Sequence, residues 1–166
     1  MALIVEDGTG KANAESYIAV ADATAYHAAR GNAAWAAVAS DSEREQLLRK
    51  ATDHMEADYG QRWKGDRATT VQALSWPRFN ACLNNAYISG NVVPLAVQRA
   101  CAELALRATL NDLAPDLGAQ VQAETVGPIS TTYAAGARQQ TKYQAVDSML
   151  SGLLDGGASM VKLVRA

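Results

Sequence analysis

The residues best suited to chemistry lie between Tyr59 and Phe79. Four cations, Arg62, Lys64, Arg67 and Arg78, stand there among Trp63, Trp76 and the two flanking aromatics, against one acid, Asp66. Cations interleaved with aromatics hold the phosphates and stack the bases of single-stranded DNA. The same composition suits two buried tryptophans crossed by arginine stems, the common fate of tryptophan in a domain with 6% aromatic residues. Core tryptophans are therefore the expectation, with DNA contact at Arg62, Lys64, Arg67 and Arg78 the alternative. His54 and Asp58 are four apart and would share a helix face. Two ligands are too few for a metal and no HExxH surrounds them, so a solvated face is expected. His27, beside Tyr26, is expected at the surface. Gly8-Thr9-Gly10-Lys11 has part of a phosphate loop but lacks its full glycine spacing and the Ser/Thr after the lysine. A flexible turn is expected there. No serine occupies a GxSxG elbow and no Cys–His pair is suggested. We assign no catalytic residue, metal ligand or cofactor, and expect no enzyme activity.

Composition narrows the choice. The 166 residues fit one domain with a sizeable core. They are 49% hydrophobic with many alanines, which favours helix. A net charge of −2 rules out a polycation, so nucleic-acid binding would need a local basic patch. Cys82 and Cys101 give neither a disulfide framework nor a metal motif, and Cys101 reads as an inert core thiol. No apolar run approaches ~20 residues and the N-terminus lacks the pattern of a signal peptide, so a cytoplasmic origin is expected.

The elements that must position these residues are mainly helical. Pro94 suits a helix start, and no Gly or Pro follows until Pro115, which predicts a central helix over 94–113. Arg99, Glu103, Arg107 and Asn111 form its one polar stripe, and the rest is Ala, Leu, Val and Cys101. Val20 to Arg30 reads as a short helix stopped by Gly31. Ser40 and Glu43 have capping-box spacing and start a helix to about Tyr59, with Leu47, Leu48, Ala51, Met55 and Tyr59 facing inward. Arg49 and Asp53 are expected to pair on its outer face. Residues 71–75 suggest a helical turn, and Asn84-Asn85 a turn. Two short strands, or one bent strand, are expected around a turn at Gly127-Pro128. Thr141 can cap a last helix from Lys142 to Leu154. Met160 to Arg165 closes the chain as an apolar, strand-like tail after Gly156-Gly157. The fold class is mainly α: a small helical bundle around the central helix, with short β segments in an extended arm and in the tail.

Several short motifs, in order, carry a resemblance. They are Ser16-Tyr17-Ile18 with Val20-Ala21-Asp22-Ala23 and Tyr26, then Trp63-Lys64-Gly65, then Gln72-Ala73-Leu74-Ser75-Trp76-Pro77-Arg78, then Glu124-Thr125-Val126-Gly127-Pro128-Ile129-Ser130 with Tyr133. Over most of its length the chain resembles head–tail connector proteins of tailed bacteriophages (adaptor, head-completion or neck proteins), a kind of sequence also catalogued as DnaT-like and single-stranded DNA-binding. The resemblance implies one connector domain: a helical core at about 16–114 and 140–155, a β-containing arm at about 118–139 and a tail at 158–166. It implies a structural protein of the virion neck, made in the bacterial cytoplasm, assembling as a cyclic homo-oligomer, usually a dodecamer. Its implied partners are the portal protein, a tail-terminator or stopper protein, and genomic DNA passing through the lumen. The arm residues Val126, Gly127, Pro128 and Ile129, and the tail residues Met160, Val161, Leu163, Val164 and Arg165, are the expected interface with the portal or a neighbour. DnaT-like binding of single-stranded DNA is the alternative.

Overall fold

Pro94 has no N–H to leave unpaired, and the central helix starts immediately after it, at Leu95. In the computed structural model, which describes residues 2–116, 123–126, 129–132 and 141–155, this helix (α4, Leu95–Arg107) is the hub. Against it pack α1 (Val20–Ala28), α3 (Asp41–Tyr59) and α5 (Gln144–Leu150). The short α2 (Ala33–Ala36) lies on α1, and α5 runs into a 3₁₀ turn at Ser151–Leu153. Val97, Ala100, Cys101, Ala102, Leu104 and Ala105 of α4 are all fully buried. Small side chains at four of these six positions let the neighbouring helices come close. The polar stripe lies where its spacing puts it. Arg107 pairs with Glu103 at 2.6 Å, and the Tyr26 hydroxyl donates to the other Glu103 oxygen at 3.0 Å. The helix is shorter than expected. The Thr109 hydroxyl donates to the Leu106 carbonyl at 2.7 Å, and the backbone tightens into turns through Leu110, which is 74% exposed.

Ser40 caps α3, accepting from the Glu43 N–H at 3.2 Å, while Glu43 reaches back to the Ala39 N–H at 3.1 Å. Leu48, Ala51, Met55 and Tyr59 of α3 are buried as their spacing predicts. Arg49 does not pair with Asp53: it reaches Glu15 at 3.0 Å, which ties the N-terminal segment to α3, and Glu45 at 3.5 Å. Both histidines depart from expectation. His27 is fully buried between Trp35 and Tyr26, and its imidazole spans two partners, the Ala102 carbonyl at 3.1 Å and Asn32 Nδ2 at 3.0 Å. His54 is 8% exposed, because the Tyr143 ring stacks edge-on against it at 5.4 Å. A surface reading fails at both for one reason: an aromatic from elsewhere in the chain covers the ring.

Among the described residues, six short strands make three antiparallel pairs. β1 (Asp66–Arg67) joins β2 (Arg78–Phe79), and β3 (Cys82–Leu83) joins β4 (Ala86–Tyr87) through Asn84 and Asn85, both at positive φ. β5 (Ala123–Val126) pairs with β6 (Ile129–Thr132) residue for residue, with Val126 opposite Ile129. This hairpin confirms the two short strands expected for the arm, and its extensive contacts are internal. Gly127, Pro128 and the tail residues Met160, Val161, Leu163, Val164 and Arg165 lie outside the described residues. Residues 71–75 form no helical turn. They belong to a loop braced by its own side chains.

Candidate functional site

That loop is where the sequence motifs meet. Gln72, 3% exposed, takes the Thr69 N–H on its oxygen at 2.7 Å and donates to the Leu74 and Pro77 carbonyls at 2.8 and 3.0 Å. Ser75 donates its hydroxyl to Glu56 of α3 at 2.6 Å. The Tyr17 hydroxyl donates to the same carboxylate and accepts from the Ser75 and Trp76 N–H groups at 3.0 and 3.3 Å. Burial, then the Glu56 charge, hold the Tyr17 phenol well above its ordinary pKa, so it stays protonated and donating. Trp76 joins Pro77 through a cis peptide. Ser16-Tyr17-Ile18, Trp63-Lys64-Gly65 and Gln72 to Arg78 are thus parts of one interlocked region.

Within it the four sequence-predicted DNA contacts have separate fates. Arg78 is 8% exposed and donates to four backbone carbonyls: Lys64 at 2.9 Å, Ser75 at 3.2 Å, Trp63 at 3.4 Å and Gly65 at 2.5 Å. Lys64 donates to the Gly152 carbonyl at 2.8 Å, holding the turn after α5. Arg67 donates to the Gln72 and Leu74 carbonyls. Arg62 lies over the Tyr59 ring, 5.7 Å from its centre, and is half-buried. Trp63 and Trp76 are 4% and 0% exposed and meet edge-to-face at 5.8 Å. Neither presents a face to a base. Among the described residues the exposed aromatics are instead Phe79 at 52% and Tyr87 at 80%. Strand alternation is the signal that could have found Phe79, since Arg78 before it is buried. Tyr87 follows the Asn84-Asn85 turn, where a hairpin end puts side chains in water.

Two other arrangements bear on function. The Glu6 carboxylate, 3% exposed, accepts from the backbone N–H groups of Gly8, Gly10 and Lys11 at 2.9, 2.8 and 2.8 Å. The phosphate-loop fragment is therefore an anion nest already filled by the protein's own side chain. A cleft of about 580 Å³ also opens between α3 and the turns after α4, lined by Asp53, His54, Asp58, Leu110, Asp112 and neighbours. Burial, with Glu56 nearby, raises the Asp53 pKa. Among the described residues no cluster of three or more His, Cys, Asp or Glu is placed to hold a metal. Cys101 is buried against Thr52 and Ser16, and burial pushes its thiol up, which makes it unreactive.

The comparisons with known proteins fit this geometry only in part. Residues 1–166 match a family model described as "Putative DnaT-like ssDNA binding protein". The chain belongs to this DnaT-like family. No curated protein and no solved structure matches it. Among the described residues of this DnaT-like chain, those of the motifs between Ser16 and Arg78 brace one another, and Phe79 and Tyr87 are the aromatic rings left open to a partner.

Proposed function

We propose that this DnaT-like protein is a structural component of the neck of a tailed phage, an adaptor that joins the portal to the tail, works by protein–protein contact and catalyses nothing. The observation that carries this reading is the β5–β6 hairpin, which pairs within itself and makes its extensive contacts there. A two-stranded hairpin alone is marginal in water, so it gains its stability from a partner surface. The body supports the same reading. The whole chain carries a net charge of −2, the body's basic loop spends Arg78, Lys64 and Arg67 on backbone carbonyls, and the body exposes Val71, Phe79, Tyr87, Val92 and Leu95. Head-to-tail contacts between copies would close a ring, with genomic DNA passing through it and the portal and a stopper protein on its two faces. Electron microscopy of portal-bearing heads mixed with the purified protein tests this. A cyclic ring whose neighbours are joined through residues 118–139 is expected. Isologous two-fold pairs, or attachment unchanged after the arm is deleted, would refute it.

The family match over the whole chain favours a second reading, binding of single-stranded DNA. In that case Phe79 and Tyr87 would stack bases, and Arg62, the cation seen only against a ring, would meet phosphate. Titration of a labelled single-stranded oligonucleotide at low salt decides between the two. Binding that weakens with salt, and falls on both Arg62→Ala and Phe79→Ala in folded protein, establishes the second reading. No binding at low salt leaves the adaptor.

A further inference from the structure

The basic loop spends its cations on carbonyls, and Lys11, Arg44 and Arg49 pair with carboxylates. Among the described residues Lys50, Arg62 and Arg99 have neither kind of partner. Lys50 shares its wall of the α3 cleft with Asp53 and Asp58, and Arg62 lies on the ring of Tyr59, whose hydroxyl goes to Asp147. Arg99 differs: it is exposed and stands among other cations. Arg99, Glu103 and Arg107 follow one another at one-turn spacing on α4. Glu103 is fully engaged, with Arg107 at 2.6 Å on one oxygen and the Tyr26 hydroxyl at 3.0 Å on the other. From the α1 side, Arg30 lies 3.6 Å above the centre of the Tyr26 ring, and its Nη1 donates to the Tyr26 carbonyl at 3.0 Å. Burial, then the bond to Glu103, raises the Tyr26 pKa, and the charges of Arg30 and Arg99 pull it back. Both guanidinium groups therefore stand near one hydroxyl. Three arginines surround a single carboxylate that is already saturated. The helices α1, α2 and α4 carry one further acid, Asp22, while Lys142 and Asp112, in the hollow beyond Arg107, offset each other.

We infer that this α1–α4 face binds the phosphodiester backbone of DNA, with Arg30 and Arg99 donating to phosphate oxygens and Arg107 held beside them by Glu103. The inference rests on the reading, common to both proposed functions, that DNA is this protein's neighbour. A guanidinium has five N–H donors in a planar fork that matches a phosphate. Arg30 spends one nitrogen on the Tyr26 carbonyl, and Arg99 spends none among the described residues. Stacking on Tyr26 orders Arg30 before any ligand arrives, which lowers the entropy lost on binding. Tyr26 is 9% exposed and lies under Arg30, so it offers no face to a base. Contacts made to phosphate alone carry no sequence preference. They suit a single strand and a passing duplex alike.

Labelled single-stranded and duplex oligonucleotides, titrated against the full chain at rising salt, test this. Binding should weaken with salt. The Arg30→Gln/Arg99→Gln variant should bind about tenfold more weakly at low salt, with the slope of log K against log salt flatter by about 1.4 for the single strand or 1.8 for the duplex, two phosphate contacts being lost. Arg99→Gln alone has no internal bond to break, so its urea midpoint should match the parent's while about half of that change in slope remains. Lys50→Gln removes the same charge from the α3 cleft and should leave binding within about twofold of the parent. Binding that survives the double variant overturns the inference; if it falls on Arg62→Ala and Phe79→Ala, the single-stranded reading stands without it. A loss on Lys50→Gln equal to that on Arg99→Gln also overturns it, because overall charge would then set the affinity. A parent protein that binds neither oligonucleotide at low salt overturns it too, and leaves the adaptor reading to be decided by ring assembly on portal-bearing heads.

Discussion

Replacing Arg78 by alanine separates a structural cation from a DNA contact. Arg78 is almost fully buried, and its guanidinium gives four hydrogen bonds to the carbonyls of Trp63, Lys64, Gly65 and Ser75. Charged hydrogen bonds contribute about 1.5–3 kcal/mol each and are not additive. Two of the four here are 3.2 Å or longer. We therefore count the pair at 2.9 and 2.5 Å in full and the others as partial, for a loss of about 4 kcal/mol. Part of that is recovered if water reaches the vacated carbonyls. Arg78→Lys keeps the charge but cannot fork across four acceptors, and should lose about 2–3 kcal/mol. Arg62→Ala is the control, within about 0.5 kcal/mol of the parent. Urea unfolding followed by tryptophan fluorescence measures all three, because Trp63 and Trp76 sit beside the guanidinium's acceptors. With a slope of about 2 kcal/mol per molar urea, the alanine variant's midpoint falls by about 2 M. If Arg78→Ala is as stable as Arg62→Ala yet loses DNA binding, the structural account of this residue is wrong.

Further outcomes follow from other buried groups. Burial holds the His27 pKa below its ordinary 6.5, so the native state keeps the ring neutral. As pH falls the unfolded chain takes the proton first; stability contributed by His27 is complete above about 6.5 and lost as pH falls through the folded value. His27→Gln should flatten stability against pH in that window, measured by urea midpoints. Tyr17→Phe and Glu56→Gln should each cost about 1.5–2 kcal/mol, with a double-mutant coupling near 1 kcal/mol, since they share one hydrogen bond and both hold Ser75. A coupling indistinguishable from zero would deny that shared bond. Gly65→Ala should cost about 2 kcal/mol or more by thermal unfolding, because φ is +74° there and a Cβ would meet the Phe79 carbonyl oxygen at 2.2 Å.

Much of the frame was legible in the sequence. Pro94, the Ser40–Glu43 cap and the spacing of Leu48, Ala51, Met55 and Tyr59 are local signals, and the helices begin and bury where they predict. The site was less legible, because its character comes from partners far along the chain. His54 is buried by Tyr143, and Arg78 is spent on carbonyls 13–15 residues away. No spacing rule sees either. A buried and an exposed arginine look alike in a sequence. So do a tryptophan that stacks on its neighbour and one that stacks on a base.

Glu6 changes what the Gly8-Thr9-Gly10-Lys11 loop can do. Three backbone N–H groups converge there, and in another protein that geometry would invite phosphate. Here the carboxylate is built into the same chain, two to five residues from the groups it caps. A phosphate could enter only by displacing this tethered carboxylate, which is 3% exposed and would lose its three N–H partners. Nucleotide phosphates at about millimolar levels cannot displace such a resident by mass action. The loop is thus saturated before any ligand arrives. Any nucleotide requirement found for this protein has to be met elsewhere on its surface.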